Sequence, residues 1–139
     1  MLRREQRLDD GLDTNALVRY VAQDDPVQSA KATTLLESLT PSDPGFIALV
    51  SVVELVWVLQ SCYDSPKSEV VQVIDTLLRT KEITVEQADI VRQALLRFGS
   101  ATADFADCLI ERCAHAAGSD YVVTFDRKAA KTAGMRHLS

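Results

Sequence analysis

Five carboxylates occupy places where an acid can act on something outside the fold: Asp13, Glu54, Asp104, Asp107 and Asp126. Asp13 opens the run Asp13-Thr14-Asn15 after a weak extended segment, and Asp126 opens Asp126-Arg127-Lys128 after the apolar run Asp120-Tyr121-Val122-Val123-Thr124. Ligands of open parallel sheets bind at the carboxyl ends of the strands, so these two acids can face each other despite their separation in sequence. Glu54 comes five residues after Leu49, in the first turns of the next helix, and looks toward the same edge. Asp104 and Asp107 are three apart at the start of a helix over Phe105 to Ala116, which puts both on one face of its first turn. Asp13, Glu54, Asp107 and Asp126 are expected to converge, with Asp104 at the rim.

Grouped carboxylate oxygens suit a hard divalent cation, Mg²⁺ or Mn²⁺, which prefers such ligands and keeps several waters. A cation of this kind lowers the pKa of a bound water, neutralises phosphate charge and stabilises a departing oxygen, so phosphodiester hydrolysis is the natural chemistry. A carboxylate would then accept or steer the water's proton. Thr14, Asn15 and Thr124 lie beside the acids and can hydrogen-bond a metal water or a carboxylate, or serve only as turn and cap residues. A structural reading covers most of the aspartates as well: Asp13 can cap a helix through Tyr20, Asp126 can cap Arg127 to Lys131, and Asp104 with Asp107 resembles a capping box. Glu54 differs, because it lies within the apolar helix Val50 to Leu59, where a carboxylate is expensive to bury without a counter-charge or metal.

The elements that must position these residues alternate. Gly45-Phe46-Ile47-Ala48-Leu49 and Asp120 to Thr124 read as strands buried in a parallel sheet, with weaker strands at Leu8 to Leu12, Glu82 to Val85 and Arg136 to Leu138. Helical spacing recurs at Val70, Ile74, Leu77 and Leu78, then at Ala88, Val91, Ala94, Leu95 and Phe98, and at Ala106, Leu109, Ile110, Cys113 and Ala117. Pro26, Pro41, Pro44 and Pro66 mark turns. Strands alternating with helices predict an α/β fold with a mainly parallel sheet.

With 139 residues, the chain is expected to form one domain over residues 8–139. No apolar run approaches a membrane span and no signal-peptide core follows Met1, so a soluble, cytoplasmic protein without membrane contact is expected. Three cysteines without C-x-x-C spacing suggest neither a disulfide framework nor a zinc knuckle, and read as reduced core thiols. Two histidines, His115 and His137, are too few and too scattered for a histidine metal site or a Ser-His-Asp triad. A net charge of −5 disfavours a broad basic surface for nucleic acid, so any such contact must be local. Arg19, Lys67, Arg127 and Lys128 are candidate phosphate contacts.

The runs Leu12 to Tyr20, Ser51-Val52-Val53-Glu54-Leu55, Ala103 to Ile110 and Thr124-Phe125-Asp126-Arg127-Lys128 together resemble the successive acidic motifs of PIN-domain nucleases, most of all toxins of the VapC type. The likeness spans Leu12 to Leu138 with the motifs in order. It implies a three-layer α/β/α sandwich around a mainly parallel sheet, Mg²⁺- or Mn²⁺-dependent cleavage of RNA, homodimerisation and inhibition by a cognate antitoxin. By position, Asp13, Glu54, Asp107 and Asp126 match the family's catalytic acids, with Asp13, Asp107 and Asp126 as metal ligands and Asp104 as an additional acid. Where the family places an apolar strand before its first aspartate, this chain has Arg7-Leu8-Asp9-Asp10-Gly11. A short first strand is therefore expected, with residues 1–7 as a flexible tail. Two other readings are a receiver-type phosphoryl-transfer protein using Asp9 and Asp10, and a PIN-like interaction module without catalysis. The first lacks a strand-terminal aspartate near the middle of the chain, and the second is at odds with the presence of every matched acid.

Overall fold

The computed structural model describes residues 10–139. The expected tail at residues 1–7, and Leu8 and Asp9 of the expected first strand, lie outside the described residues. The chain divides into two compact units, with the boundary in sequence between Glu86 and Gln87. All strand pairs in both units are parallel.

In the first unit, β1 (Asp10–Gly11), β2 (Gly45–Ile47) and β3 (Ile83–Val85) form one sheet in the order β1-β2-β3. Parallel neighbours need crossover connections, and helices supply them. Between β1 and β2 run α1 (Thr14–Ala22) and α2 (Pro26–Glu37); between β2 and β3 run α3 (Leu49–Cys62) and α4 (Lys67–Arg79). The register sets Asp10 opposite Gly45 and Phe46 opposite Thr84. Beyond β1 the ladder continues through the Leu12 amide, which donates to the Phe46 carbonyl at 2.8 Å. That bond fixes the chain immediately before Asp13.

Gly45 is buried where the side chains of Leu12 and Leu39 press against the strand; a Cβ there would lie 2.9 Å from each. Ile47 and Leu55 are fully buried, joined by Leu17, Val52, Val70 and Ile74 at 1% exposure or less. Complete burial of each such side chain contributes about 1.5–3 kcal/mol. The strand at Gly45 stops at Ile47, not Leu49 as its apolar run suggests, because Leu49 begins α3. Pro26, a turn marker in the sequence, is the first residue of α2, where its missing N–H has no helical partner to lose. The Asp25 side chain accepts from the amides of Val27 and Gln28, completing that start.

The second unit contains α5 (Ala88–Ser100), α6 (Phe105–Ala116), β4 (Val123–Thr124), α7 (Arg127–Thr132) and β5 (Arg136–His137). Helices α5 and α6 pack through Val91, Ala94, Leu95 and Phe98 on one side and Phe105, Cys108 and Leu109 on the other. The Phe98 and Phe105 rings meet edge-to-face at 5.7 Å. The extent of α6 is as expected, but its buried face is not. Phe105, Cys108 and Leu109 point inward, whereas Ala106 and Ile110 are exposed.

The run Asp120 to Thr124 also departs from expectation, forming a strand of two residues with Tyr121 and Val123 about half exposed. Among the described residues, its sheet is made by β4 and β5. Ala129, Ala133 and Met135 are the buried residues around it, so apolar cover reaches only part of the strand. The cysteines are only partly core thiols: Cys108 is buried, Cys113 half-buried and Cys62 exposed at the end of α3. Among the described residues, no helix is long and apolar enough to cross a membrane.

Candidate active site

The first unit holds Asp13, Thr14, Asn15 and Glu54. Asp13 has an extended backbone and caps α1, its Oδ1 accepting from the Ala16 amide at 2.9 Å. The carboxylate is exposed. Capping and chemistry are compatible here, because the cap bond uses one oxygen of two and holds the group at a defined orientation. Thr14, the first helical residue, donates its hydroxyl to Glu54 Oε1 at 2.6 Å. Asn15 is exposed beside them.

Glu54 stands six residues into α3 and is exposed. The inward face of that helix is made by Ser51, Val52, Leu55, Val56 and Leu59, and Glu54 falls outside it. The desolvation cost inferred from its apolar neighbours in sequence therefore does not arise. The orientation of α3 has a distinct anchor. Ala48, at its cap position, has no side chain to bond the free amides, and Glu86 Oε1 instead accepts from the Leu49 amide at 2.7 Å. Glu86 was legible as a further acid just beyond a strand, the same signal that singles out Asp13 and Asp126.

The second unit holds Asp104, Asp107, Asp126 and Thr124. Asp104 occupies the cap position of α6 without a side-chain cap bond, so the capping-box reading is not what its carboxylate does. Its Oδ1 lies 3.7 Å from Lys128 Nζ. Asp126 caps α7, accepting from the Lys128 amide at 2.8 Å and the Ala129 amide at 3.1 Å. Thr124 does not reach a carboxylate; its hydroxyl accepts from the Asp126 amide at 3.0 Å and so fixes the backbone of the turn.

Asp107 is half-buried, and its pKa is raised above the ordinary value. Partial burial is the largest cause, followed by the negative charges of Asp104 and Asp126, with Lys128 acting in the opposite sense. Three carboxylates are thus within electrostatic reach of one another in this unit, in a pattern that an added cation would relieve. Among the described residues, no group of three or more His, Cys, Asp or Glu is gathered closely enough to cage a metal ion. The donor chemistry nevertheless fits a hard cation, since every candidate ligand is a carboxylate oxygen.

The basic candidates differ in their surroundings. Arg19 is held by Gln28 Oε1 at 2.9 Å and Asp24 Oδ1 at 3.1 Å, and the Tyr63 hydroxyl donates to the other oxygen of Asp24 at 2.7 Å. The Tyr63 bond, before the Arg19 charge, lowers the Asp24 pKa. Arg127 is exposed, Lys128 faces Asp104, and Lys67 is half-buried. His115 is exposed, and His137 Nε2 lies 3.1 Å from the carbonyl of Phe125, the residue before Asp126.

The PIN domain family model matches residues 12–135. A VapC ribonuclease of Aquifex aeolicus (strain VF5) is 24% identical over 117 residues, covering 84% of this chain and 87% of the relative.

Proposed function

The chain belongs to the PIN domain family, and we propose that it is a Mg²⁺- or Mn²⁺-dependent endoribonuclease of the VapC kind, restrained by a cognate antitoxin. The observation that carries this reading is the grouping of Asp104, Asp107 and Asp126 within electrostatic reach of one another around the start of α6, with Asp107 half-buried; that burial first, and the two neighbouring charges second, raise its pKa. Membership of the family and likeness to a VapC ribonuclease supply the reaction class.

In this reading Asp13, Asp107 and Asp126 hold the metal, and Asp104 adds negative charge beside them. When bound, the cation supplies Lewis acidity and neutralises phosphate charge. Glu54 is the candidate to accept or steer the proton of the attacking water, and the Thr14 hydroxyl orients it by donating to Oε1. The caps that Asp13 and Asp126 make to their own helices keep both carboxylates from turning away. Thr124 supports the turn at Asp126 by accepting from its amide, and Asn15 stands exposed beside Asp13 and Thr14. RNA is the substrate and a homodimer the working form, both carried by the family likeness; an antitoxin would close the acids off with a cationic side chain, since unneutralised carboxylates attract arginine.

Incubating the purified chain with RNA in Mg²⁺, in Mn²⁺ and in EDTA tests the proposal, with Glu54→Gln and Asp107→Asn as controls. Metal-dependent cleavage lost in both variants is expected. A folded wild type that binds its partner yet cuts no RNA in either metal would instead favour an interaction module.

A further inference from the structure

Between α1 and α2 lies an open, mostly apolar groove of about 260 Å³, formed by Ala16, Ala32, Leu35 and the aliphatic stems of longer side chains, with polar groups of Asn15, Arg19, Gln28 and Lys31 along it. Among the described residues, no carboxylate lines it. Two other cavities of the molecule contrast with it: one is lined by Tyr63 and Glu69 without a cation, and the other sets Arg97 and Arg112 beside Glu111. In an acidic chain, a groove that places the exposed Lys31 beside Arg19, with Asp24 paired to Arg19 at 3.1 Å, is a local concentration of positive charge of the kind that anion recognition requires.

Its position ties it to the acids. Asn15 follows Thr14, whose hydroxyl holds Glu54, and Arg19 lies one turn further along α1, about 6 Å from Asn15 at the helical rise. Arg19 is restrained by Gln28 and Asp24, so its guanidinium is set in place before a ligand arrives, while Asp24 offsets part of its charge. Lys31 is exposed and supplies the groove's mobile positive charge. The volume is below the roughly 300–1,000 Å³ of a cleft that encloses a whole small molecule, and suits one unit of a longer chain. Side-chain amides beside an apolar wall match a base edge and face, and the cations match a phosphate.

We propose that the groove between α1 and α2 binds a nucleotide of single-stranded RNA flanking the scissile bond, with Lys31 contacting its phosphate, Arg19 supporting that contact, and Asn15 and Gln28 facing its base. This inference rests on the ribonuclease reading for the word "scissile" but makes its own prediction about binding.

The test uses the full chain and a fluorescently labelled single-stranded RNA, with affinity measured by anisotropy in EDTA across a salt series and cleavage measured separately in Mg²⁺. Lys31→Glu is expected to weaken binding at least fivefold at low salt and to reduce the slope of log affinity against log salt by about 0.7, the value for one phosphate contact on a single strand. Lys31→Arg should restore both the affinity and the salt slope. Unaltered affinity and slope in folded Lys31→Glu would overturn the groove assignment, as would a variant that loses only binding to a protein partner. The two readings separate cleanly. Wild type that cleaves RNA while Lys31→Glu binds normally removes the groove and keeps the nuclease. Wild type that binds RNA through Lys31 without cleaving it keeps the groove and removes the nuclease.

Discussion

The Thr14 hydroxyl donates to Glu54 Oε1 at 2.6 Å, joining residues forty positions apart at the start of one helix and within another. The bond ties the first acidic motif to the second inside a single unit. It restricts the rotamers of an exposed glutamate that would otherwise sweep through solvent. Thr14→Val should lower kcat about tenfold with little change in KM, a loss equivalent to about 1.4 kcal/mol and close to the lower end of the ~1.5–3 kcal/mol range for a bond to a charged group. Thr14→Ser, which keeps the hydroxyl, should recover most of the rate. Equal rates for valine and serine would show that the bond does not position Glu54.

Asp107 offers a stability measurement independent of activity. Its folded pKa is raised, so the folded state binds its proton more tightly than the unfolded chain does. This group's contribution to stability is therefore most favourable at low pH and declines as pH rises from the ordinary aspartate value through the raised one. Above that window a charged Asp107 sits unfavourably beside Asp104 and Asp126. Asp107→Asn should accordingly raise Tm by a few degrees at neutral pH, a gain below about 1 kcal/mol given partial solvent exposure, and the gain should vanish below the ordinary aspartate pKa. Mg²⁺ or Mn²⁺ should raise the Tm of the wild type but not that of the variant. A pH-independent difference would remove the electrostatic explanation.

Glu86 holds the start of α3 through the Leu49 amide, and Glu54 lies five residues along the same helix. Glu86→Ala should cost about 1 kcal/mol, the usual worth of a helix cap, and lower Tm by about 4 °C. Glu86→Gln keeps an acceptor but loses the charge favoured at a helix N-terminus, and should fall between the two. Thermal unfolding at neutral pH reads both.

Antitoxin restraint predicts that co-expression of the chain with its operon partner yields a complex whose RNA cleavage is suppressed, and that partner removal restores it. The same partner should bind Asp107→Asn more weakly if an arginine or lysine meets these acids. Copurification followed by paired activity and affinity measurements decides it.

The sequence showed the acids more clearly than the surfaces around them. The caps of Asp13 and Asp126 were legible because strand ends and helix caps are local signals set by two or three neighbouring residues; the start of α6 at Asp104 was legible too, but not that its carboxylate makes no cap bond. The packing of α5 was legible too, since Val91, Ala94, Leu95 and Phe98 repeat at helical spacing with nothing apolar competing for the opposite face except Leu96. In α6, by contrast, Phe105 and Cys108 compete with Ala106 and Ile110 for the apolar stripe, and only the contact with Phe98 decides which pair turns inward. Glu54 misled for a related reason: counting its apolar neighbours says how hydrophobic α3 is, but not which side of the helix the carboxylate takes. Long-range partners such as Thr14 with Glu54, or Glu86 with Leu49, carry no local sequence signal, because they depend on the register of β2 between β1 and β3.

The central claim is metal-dependent cleavage by these carboxylates, and its most direct measurement is the rate of RNA cleavage by the purified chain in Mg²⁺ or Mn²⁺, compared with EDTA and with folded Glu54→Gln and Asp107→Asn. The account predicts cleavage that stops in EDTA, returns on adding either metal, and falls about 10²–10⁴-fold in Glu54→Gln, the range for losing a general acid–base group, with a loss of at least 10²-fold in Asp107→Asn. Cleavage that persists in EDTA, or that both variants perform at the wild-type rate, would contradict it.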